Sequence, residues 1–314
     1  MTTTQNPVRV ARAALTALFD PNDELASRLV LDLGAHTAYK IATGAQPVQR
    51  FADISADELS EGVSRWKTKL HELKPEEDLA TIERLGGGFL IPGDEHWPAA
   101  LDDLDNTPPG LWYIGDISNG IPGIEKTVAL IGSRDSTSYG LSVTSDLANG
   151  LARAGFAVLS DLSYGVAAAA HRAALAAGTA AAPVTIAVVA GGADRIHPAG
   201  NADLADAIRG RGLILSEQPP GTGATRQRFV QRNRIVAALA GVTCVVEARY
   251  RSSTQNTARI ATGYGRTLAA VPGSVFSANS NATHLMIKEG AAIVTSTEDV
   301  LDLFDARHIA SRKV

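Results

Sequence analysis

Four arginines, Arg226, Arg228, Arg232 and Arg234, stand close together with Phe229 and Asn233 among them, and the run leads into an Ala-rich helical pattern ending at Gly241. A helix N-terminus already carries partial positive charge from its aligned peptide dipoles, so cations there are disfavoured unless an anion is to be held. Phosphate suits the pattern. Guanidinium groups fork onto its oxygens, and the free N–H groups of the first turn supply further donors. Two plainer arrangements fit the same residues equally well: a solvated basic face, or an internal network of arginines and carboxylates.

The rest of the chain restricts where an anion can be met. Its 314 residues carry a formal net charge of −4, so a polyanion has to find a local patch rather than a basic field. Hydrophobic content of 45% and charged content of 20% describe an ordinary globular chain, long enough for about two domains. The single cysteine, Cys244, lies in the apolar run Val242-Thr-Cys-Val-Val246, which excludes disulfides and predicts a buried, inert thiol. His96 and His197 stand near prolines without a neighbouring ligand set, so neither a metal site nor a cofactor is expected. The first residues lack the basic-then-apolar pattern of a secretory signal, and no apolar run is long enough to span a bilayer. Cytoplasmic residence away from membranes is the expectation.

Positioning the arginines requires a scaffold, and the chain supplies one in three parts. Residues 1–85 carry apolar positions at helical spacing, broken at Asp20-Pro21 and Gly34, with a polar helix over about 55–73; they predict a small helical domain. Residues 86–126, punctuated by proline and tryptophan, read as a connecting segment that packs on the next domain, with a short edge strand at 88–92 ended by Pro92. From 127 to 314, apolar strands near 128–131, 157–160, 184–189, 213–216, 242–246, 268–271 and 292–295 alternate with helical segments. This alternation predicts an α/β fold: an extended, Rossmann-like, doubly wound and mostly parallel sheet, preceded by the small helical domain.

In such sheets ligands lie beyond the carboxyl ends of the strands. The loops there are rich in Gly, Ser and Arg: Gly132-Ser-Arg-Asp-Ser-Thr-Ser-Tyr-Gly140, Asp161-Leu-Ser-Tyr-Gly165, Gly191-Gly-Ala-Asp194 and Glu247-Ala-Arg-Tyr-Arg-Ser-Ser-Thr254. Small residues let backbone N–H groups approach a phosphate, and hydroxyls add directional donors. A dinucleotide site is disfavoured because Gly132-Ser-Arg-Asp lacks the later glycines of G-x-G-x-x-G. A serine hydrolase, with Ser163 on a strand-to-helix turn and His171 or His284 as partner, is disfavoured because Asp161 stands where the sharp turn needs glycine.

The motifs have an order. Ile131-Gly-Ser-Arg134 with Tyr139-Gly140 is followed by Ser163-Tyr-Gly-Val166 with His171-Arg-Ala-Ala-Leu175, then Ala190-Gly-Gly-Ala-Asp194 with His197-Pro-Ala-Gly-Asn201. Leu215-Ser-Glu217, Arg228-Phe-Val-Gln-Arg-Asn-Arg-Ile-Val-Ala-Ala-Leu239, Val246-Glu-Ala248 and Val271-Pro-Gly273 complete the series. Over about residues 97–304 the series resembles the DNA-processing protein A (DprA/Smf) family, and the preceding helical segment is similar to that family's N-terminal domain. The resemblance implies a non-enzymatic, homodimeric protein that binds single-stranded DNA and helps load a RecA-type recombinase onto it. It also implies a nucleic-acid-binding set of Gly132, Ser133, Arg134, Tyr139, Gly140, Ser163, Gly165, Arg226, Arg228, Phe229, Arg232, Asn233, Arg234, Ser252 and Ser253. Arginines would neutralise phosphates and Phe229 would offer a stacking face, although core packing is an equal role for it; Asn233 is open to reading a base edge or capping the following helix.

The departures from the family pattern bear on this set. Ser160-Asp-Leu-Ser-Tyr-Gly-Val-Ala167 has Asp161 in place of a glycine and Ala167 in place of an acid, so Asp161 is expected to add negative charge beside the phosphate track. Ser252-Ser253 replaces a Ser-Gly pair, and Ala282-Thr283-His284 replaces Gly-Thr-Asn. With the sequence ending at Val314, no C-terminal winged-helix domain is expected. Alanine at both Arg232 and Arg234 is expected to reduce strand binding while leaving thermal stability nearly intact. The alternative of a different class is a nucleotide-processing Rossmann enzyme such as a phosphoribohydrolase, whose Pro-Gly-Gly-x-Gly-Thr-x-x-Glu motif is missing; Arg251-Ser-Ser-Thr-Gln-Asn-Thr257 stands in the comparable loop.

Overall fold

A computed structural model describes residues 6–47, 54–179 and 183–311. Nine strands form one sheet: β1 (Gly87–Leu90), β2 (Leu111–Gly115), β3 (Thr127–Ile131), β4 (Ala157–Ser160), β5 (Thr185–Val188), β6 (Leu213–Ser216), β7 (Val242–Val245), β8 (Thr267–Ala270) and β9 (Ala292–Ile293). Their order is β1-β2-β6-β5-β4-β3-β7-β8-β9. All pairs from β6 through to β9 are parallel, whereas β1 pairs antiparallel with β2, and β2 with β6. The α/β architecture read from the alternation is therefore the one observed.

Period-2 alternation of side chains divides the sheet between two cores. Val128 and Leu130 of β3 face α6 (Ser138–Arg153), α7 (Val166–Ala176) and α12 (Thr297–Ser311), together with Val158, Val242 and Cys244. Ala129 and Ile131 face the other way, with Leu159, Ile186 and Val245, onto α9 (Arg226–Leu239), α10 (Thr254–Gly263) and α11 (Asn281–Lys288). A further cluster covers β2, β5 and β6 with α8 (Ala202–Arg211). Because both faces are covered, strands such as β3 are buried at every position and read as continuous apolar runs. Burial pushes the Cys244 thiol up to about 12, so it stays protonated.

The connecting segment is more structured than its prolines suggest. Leu111–Gly115, read as part of a linker, is a strand within the sheet, with Trp112 opposite Ser216 and Ile114 opposite Ile214. The physical reason is that β6 would otherwise be a bare edge of unpaired N–H and C=O groups, which β2 satisfies. The helical region comprises α1 (Pro7–Leu18), α2 (Glu24–Leu33), α3 (Ala35–Thr43), α4 (Ala56–Lys67) and α5 (Pro75–Arg84). Asn6 caps α1 by accepting from the Val8 and Arg9 amides, and Asp23 caps α2 while also accepting from Trp66 Nε1 at 3.1 Å. Helix α1 is joined to the sheet: Trp112 Nε1 donates to Thr16 Oγ1 at 3.0 Å, Arg12 donates to the Pro109 carbonyl at 2.8 Å, and Arg9 forks onto Asp94 at 2.7 and 2.9 Å. Among the described residues no helix is long and apolar enough to cross a membrane.

One topological feature sets the site. From β3 the chain continues to β4 on one side, whereas β7, on the other side of β3, continues to β8. Their loops diverge and leave a crevice beyond the carboxyl ends of β3 and β7, where ligands bind in open sheets of this kind.

Candidate nucleic-acid interface

A cavity of about 1000 Å³ occupies that crevice. Its walls are residues 132–135 after β3, Ser160 at the end of β4 with Asp161 and Ser163 beyond it, Arg249 and residues 251–253 after β7, Thr254 and Thr257 of α10, and one face of α9. Arg226, Phe229, Val230 and Asn233, three and four positions apart, form the stripe of α9 turned toward it. Thr225 caps this helix, its Oγ1 accepting from the Arg228 amide at 3.2 Å. Capping by Asn233 is thereby ruled out: it lies within the helix, 7% exposed, with Nδ2 3.4 Å from Asn256 Oδ1.

The arginines of α9 divide by depth: some are exposed, and others form the internal arginine–carboxylate pairs that were one reading of the cluster. Arg226 is exposed and lines the cavity, in no ion pair among the described residues. Arg228 is turned aside and donates to the Gly223 carbonyl at 2.8 Å. Arg232, 5% exposed, borders the cavity but is committed inward: Nη2 pairs with Asp161 Oδ2 at 2.9 Å, and Nη1 donates to the Val188 carbonyl. Arg234 faces away from the cavity and is buried against Glu217, the two side chains 7% and 8% exposed. Two of these four are internal arginine–carboxylate pairs. The expectation that alanine at both positions would leave stability nearly intact is therefore corrected, since removing one partner of a buried pair strands the other's charge.

Asp161 also differs from expectation. It does not project an uncompensated charge: Arg232 neutralises it, and Oδ1 accepts from both the amide (3.0 Å) and the hydroxyl of Ser163. Burial pushes this carboxyl up, but Arg232 and the Ser163 hydrogen bonds outweigh that and hold it below the usual carboxylate range. Ser163 has thus spent its proton on Asp161 and is left to accept. Behind them His171 is fully buried, and burial pushes it down to about 4. Its Nε2 is 2.7 Å from the Asp161 carbonyl, to which a neutral ring donates, and its Nδ1 is 2.7 Å from Thr185 Oγ1, a hydroxyl that itself donates to the Val158 carbonyl at 2.7 Å. Neither ring nitrogen is directed at Ser163, so the hydrolase pairing is not assembled; His284 is turned instead to Gly273.

Arg134 is exposed on the opposite wall, its guanidinium carbon 5.4 Å from the centroid of the Phe229 ring. Phe229 is half-buried and touches His197 on another side, with ring centroids 5.4 Å apart. Gly132, Ser133, Ser252 and Ser253 line the cavity, and Ser252 Oγ donates to Thr254 Oγ1 at 2.8 Å. Tyr139, Gly140 and Gly165 do not line it. Gly165 turns the chain into α7 at a φ of 73°, and a side chain there would strike the Ser133 carbonyl. Gly140 leaves room for the Glu247 carboxylate, which accepts from Ser136 Oγ (2.7 Å), the Thr137 amide (2.9 Å) and Thr137 Oγ1 (2.5 Å). Tyr139 donates to the Pro272 carbonyl at 2.6 Å beside a second cavity.

Asp135, Arg249, Arg251, Thr254 and Thr257 join the first cavity without having been expected there. The signal for two of them was Arg249-Tyr-Arg251, a basic pair around an aromatic in a strand-end loop. Arg249 bridges Asp135 Oδ2 at 2.6 Å and Asn279 Oδ1 at 2.8 Å, whereas Arg251 is exposed and in no ion pair among the described residues.

Comparison with known proteins identifies the family. The model of the family described as DNA recombination-mediator protein A matches residues 88–305. A Mycobacterium tuberculosis protein named as a putative DNA processing protein DprA is 39% identical over 237 residues, covering 72% of this chain and 60% of that protein. The chain thus spans well under two thirds of that relative's length. The Streptococcus pneumoniae DNA processing protein DprA is 40% identical over 148 residues, 47% of this chain and 51% of that protein. An X-ray structure of S. pneumoniae DprA superposes with a TM-score of 0.71 at 26% identity, covering 95% of this chain and 97% of that one. A Helicobacter pylori DNA processing protein A structure, described by its single-stranded DNA binding mode, gives a TM-score of 0.59 at 29% identity, covering 67% and 93%. With the ordered strand-end loops, the switch-point cavity and a family match across the whole sheet, the chain belongs to the DNA recombination-mediator protein A family.

Proposed function

We propose that the chain binds single-stranded DNA in the switch-point cavity and acts in recombination by passing the strand, as a homodimer, to a RecA-type recombinase. The observation that carries the binding reading is the convergence of Arg134, Arg226 and Arg251, from three separate segments, on one cavity beside Phe229; all three are exposed and in no ion pair among the described residues. Phosphates neutralised by such cations release counterions, and an adjacent aromatic ring serves any base, the combination that sequence-tolerant single-strand binding uses. Arg134 rests over the ring that a base would take. Its swing onto a phosphate uncovers Phe229 in the same step, so backbone capture and stacking are linked. Arg232 and Arg234 act indirectly, the first by cancelling Asp161 and the second by fixing α9 against Glu217. Likeness to the H. pylori protein supports the choice of ligand, and family membership supports the recombination role.

The test is fluorescence anisotropy with a labelled oligothymidylate, run beside calorimetry with nucleoside monophosphates. Binding that weakens with salt, and weakens further in Arg226→Ala and Arg251→Ala at unchanged thermal stability, is the expected result. Unaltered binding in both variants removes the site assignment, and release of free base from a monophosphate would favour the phosphoribohydrolase instead. The recombinase step has its own readout: RecA filament growth on strands precoated with a single-strand-binding protein, with and without this chain.

A further inference from the structure

The loop between β8 and α11 carries an unexplained ring. Phe276 is 97% exposed and its neighbour Val275 is 75% exposed. The loop holding them is nonetheless pinned: the Phe276 amide donates to Ser274 Oγ at 3.2 Å, the Ser277 amide to the Ser274 carbonyl at 3.0 Å, and His284 Nε2 lies 3.0 Å from the Gly273 carbonyl. A fixed loop presenting an unpacked aromatic is preorganised to be covered by something. Against the base of this loop and the half-exposed Tyr139 lies the second cavity, of about 630 Å³, lined by Pro272, Gly273 and the hydroxyl residues Ser274, Ser277 and Ser280, the residues that flank Val275 and Phe276 in the chain; the Phe276 ring itself stands outside the lining. The acid in its wall, Glu247, is buried and held by three donors.

We infer that this loop forms a second nucleotide subsite, adjoining the first cavity, in which a base further along the same single strand stacks on Phe276. The inference rests on the single-strand reading above and extends it. The link is the contact between the first cavity's wall and the Phe276 loop: Arg249 lines the first cavity, pairs with Asp135 and reaches Asn279 of that loop, while Asn279 Nδ2 donates to the Asp135 carbonyl at 2.9 Å. The Arg249–Asp135 pair is exposed on both sides, 58% and 83%, so exchanging Asp135 for a phosphate costs little. The strand's backbone crosses at Arg249. Beyond it the second cavity offers the Tyr139 ring and hydroxyls, with no cation among its lining residues, and Phe276 stands exposed on the adjoining loop, which suits a base and sugar rather than a phosphate.

Anisotropy with oligothymidylates of about 4 and about 12 residues, a range spanning common single-strand site sizes, tests this in the full chain. Wild type is expected to bind the longer strand more tightly than length alone provides. Phe276→Ala should leave the short strand unaffected and weaken the long one about tenfold, the scale of one base–aromatic stack. Phe276→Trp should restore long-strand affinity, with indole fluorescence quenched by the long strand only. A long-strand advantage that survives in Phe276→Ala, or equal losses at both lengths, overturns the subsite. So does a change in oligomeric mass by light scattering without any length effect, which would assign Phe276 to a protein contact. Failure of wild type to bind either strand rejects the parent reading instead.

Discussion

Replacing Arg232 separates a structural arginine from a ligand-binding one. In Arg232→Ala the Asp161 carboxylate, 25% exposed in the pair, keeps only its two bonds from Ser163, and the Val188 carbonyl loses its side-chain donor. Removing one partner of a buried pair costs about 3 to 5 kcal/mol, and the residual exposure of Asp161 places this case near the lower end, about 3 kcal/mol. For a chain of this size that is a fall of about 4 to 5 °C in thermal midpoint. Arg226→Ala, at an exposed position without a partner, should move the midpoint by less than about 1 °C. Circular dichroism melts of both variants make the comparison. Two further signatures distinguish a stranded charge from a packing loss. Asp161→Asn added to Arg232→Ala should recover part of the stability, and the deficit of Arg232→Ala should narrow on acidification, because a protonated Asp161 no longer needs a cation. A midpoint for Arg232→Ala within about 1 °C of wild type would refute the division of the arginines by depth.

Further expectations concern salt, pH and Ser163. With three unpaired arginines meeting phosphates, the logarithm of the single-strand binding constant should fall against the logarithm of salt with a slope of about −2, and Arg226→Ala or Arg251→Ala should each reduce it by about 0.7. Asp161→Asn should steepen the slope by a similar amount, because it frees Arg232 for the strand. Ser163→Ala should change affinity by less than about threefold, since its hydroxyl proton is already given to Asp161. The pH dependence involves two buried groups of opposite sign. His171 is held near 4 against a usual 6.5, so the unfolded chain takes up a proton first as pH falls and about 3 kcal/mol is lost between pH 6.5 and 4. Asp78, 5% exposed, is raised by burial to about 6 from 3.8, so the unfolded chain releases its proton first and about 3 kcal/mol is lost as pH rises from 3.8 to 6. These contributions nearly cancel in the wild type. Asp78→Asn should unmask the acid sensitivity of His171 in urea titrations across pH 4 to 7; parallel profiles for the two proteins would count against either assignment.

The sheet was legible because a strand buried on both faces is a continuous apolar run, and residues 128–131 or 242–246 cannot easily be anything else. Leu111-Trp-Tyr-Ile114 was hidden behind Pro108-Pro-Gly110, and its partner β6 lies far along the chain, so no local pattern marks the pairing. Arginine identity was legible in the site, but arginine depth was not. Arg226 and Arg234 look alike in sequence, and only the carboxylates that α9 meets, Asp161 on one side and Glu217 on the other, decide which guanidiniums remain available. Asp161 shows the same limit from the opposite direction, since its charge is cancelled by a residue of the very cluster it was expected to oppose. Tyr139, Gly140 and Gly165 belong to strand-end loops but lie outside the first cavity: the two glycines serve a turn and a buried carboxylate, and Tyr139 lines the second cavity. Arg251 carried a signal in Arg249-Tyr-Arg251, which gained meaning only once the strand order placed that loop opposite α9.

The route of α9 also bears on when the site comes into being. The segment that carries it leaves β6 and must pass β5, β4 and β3 before its chain enters the sheet again at β7. The surface on which it lies, including the Val188 carbonyl that receives Arg232 and the Asp161 turn that neutralises it, belongs to β5 and to the turn after β4 on that path. Contacts between segments so distant in sequence carry a loop-closure cost that local pairings do not, and they exist only where all of these segments are packed together. A nascent or partly unfolded chain therefore has the arginines but not their arrangement, and strand capture becomes a report on completed assembly.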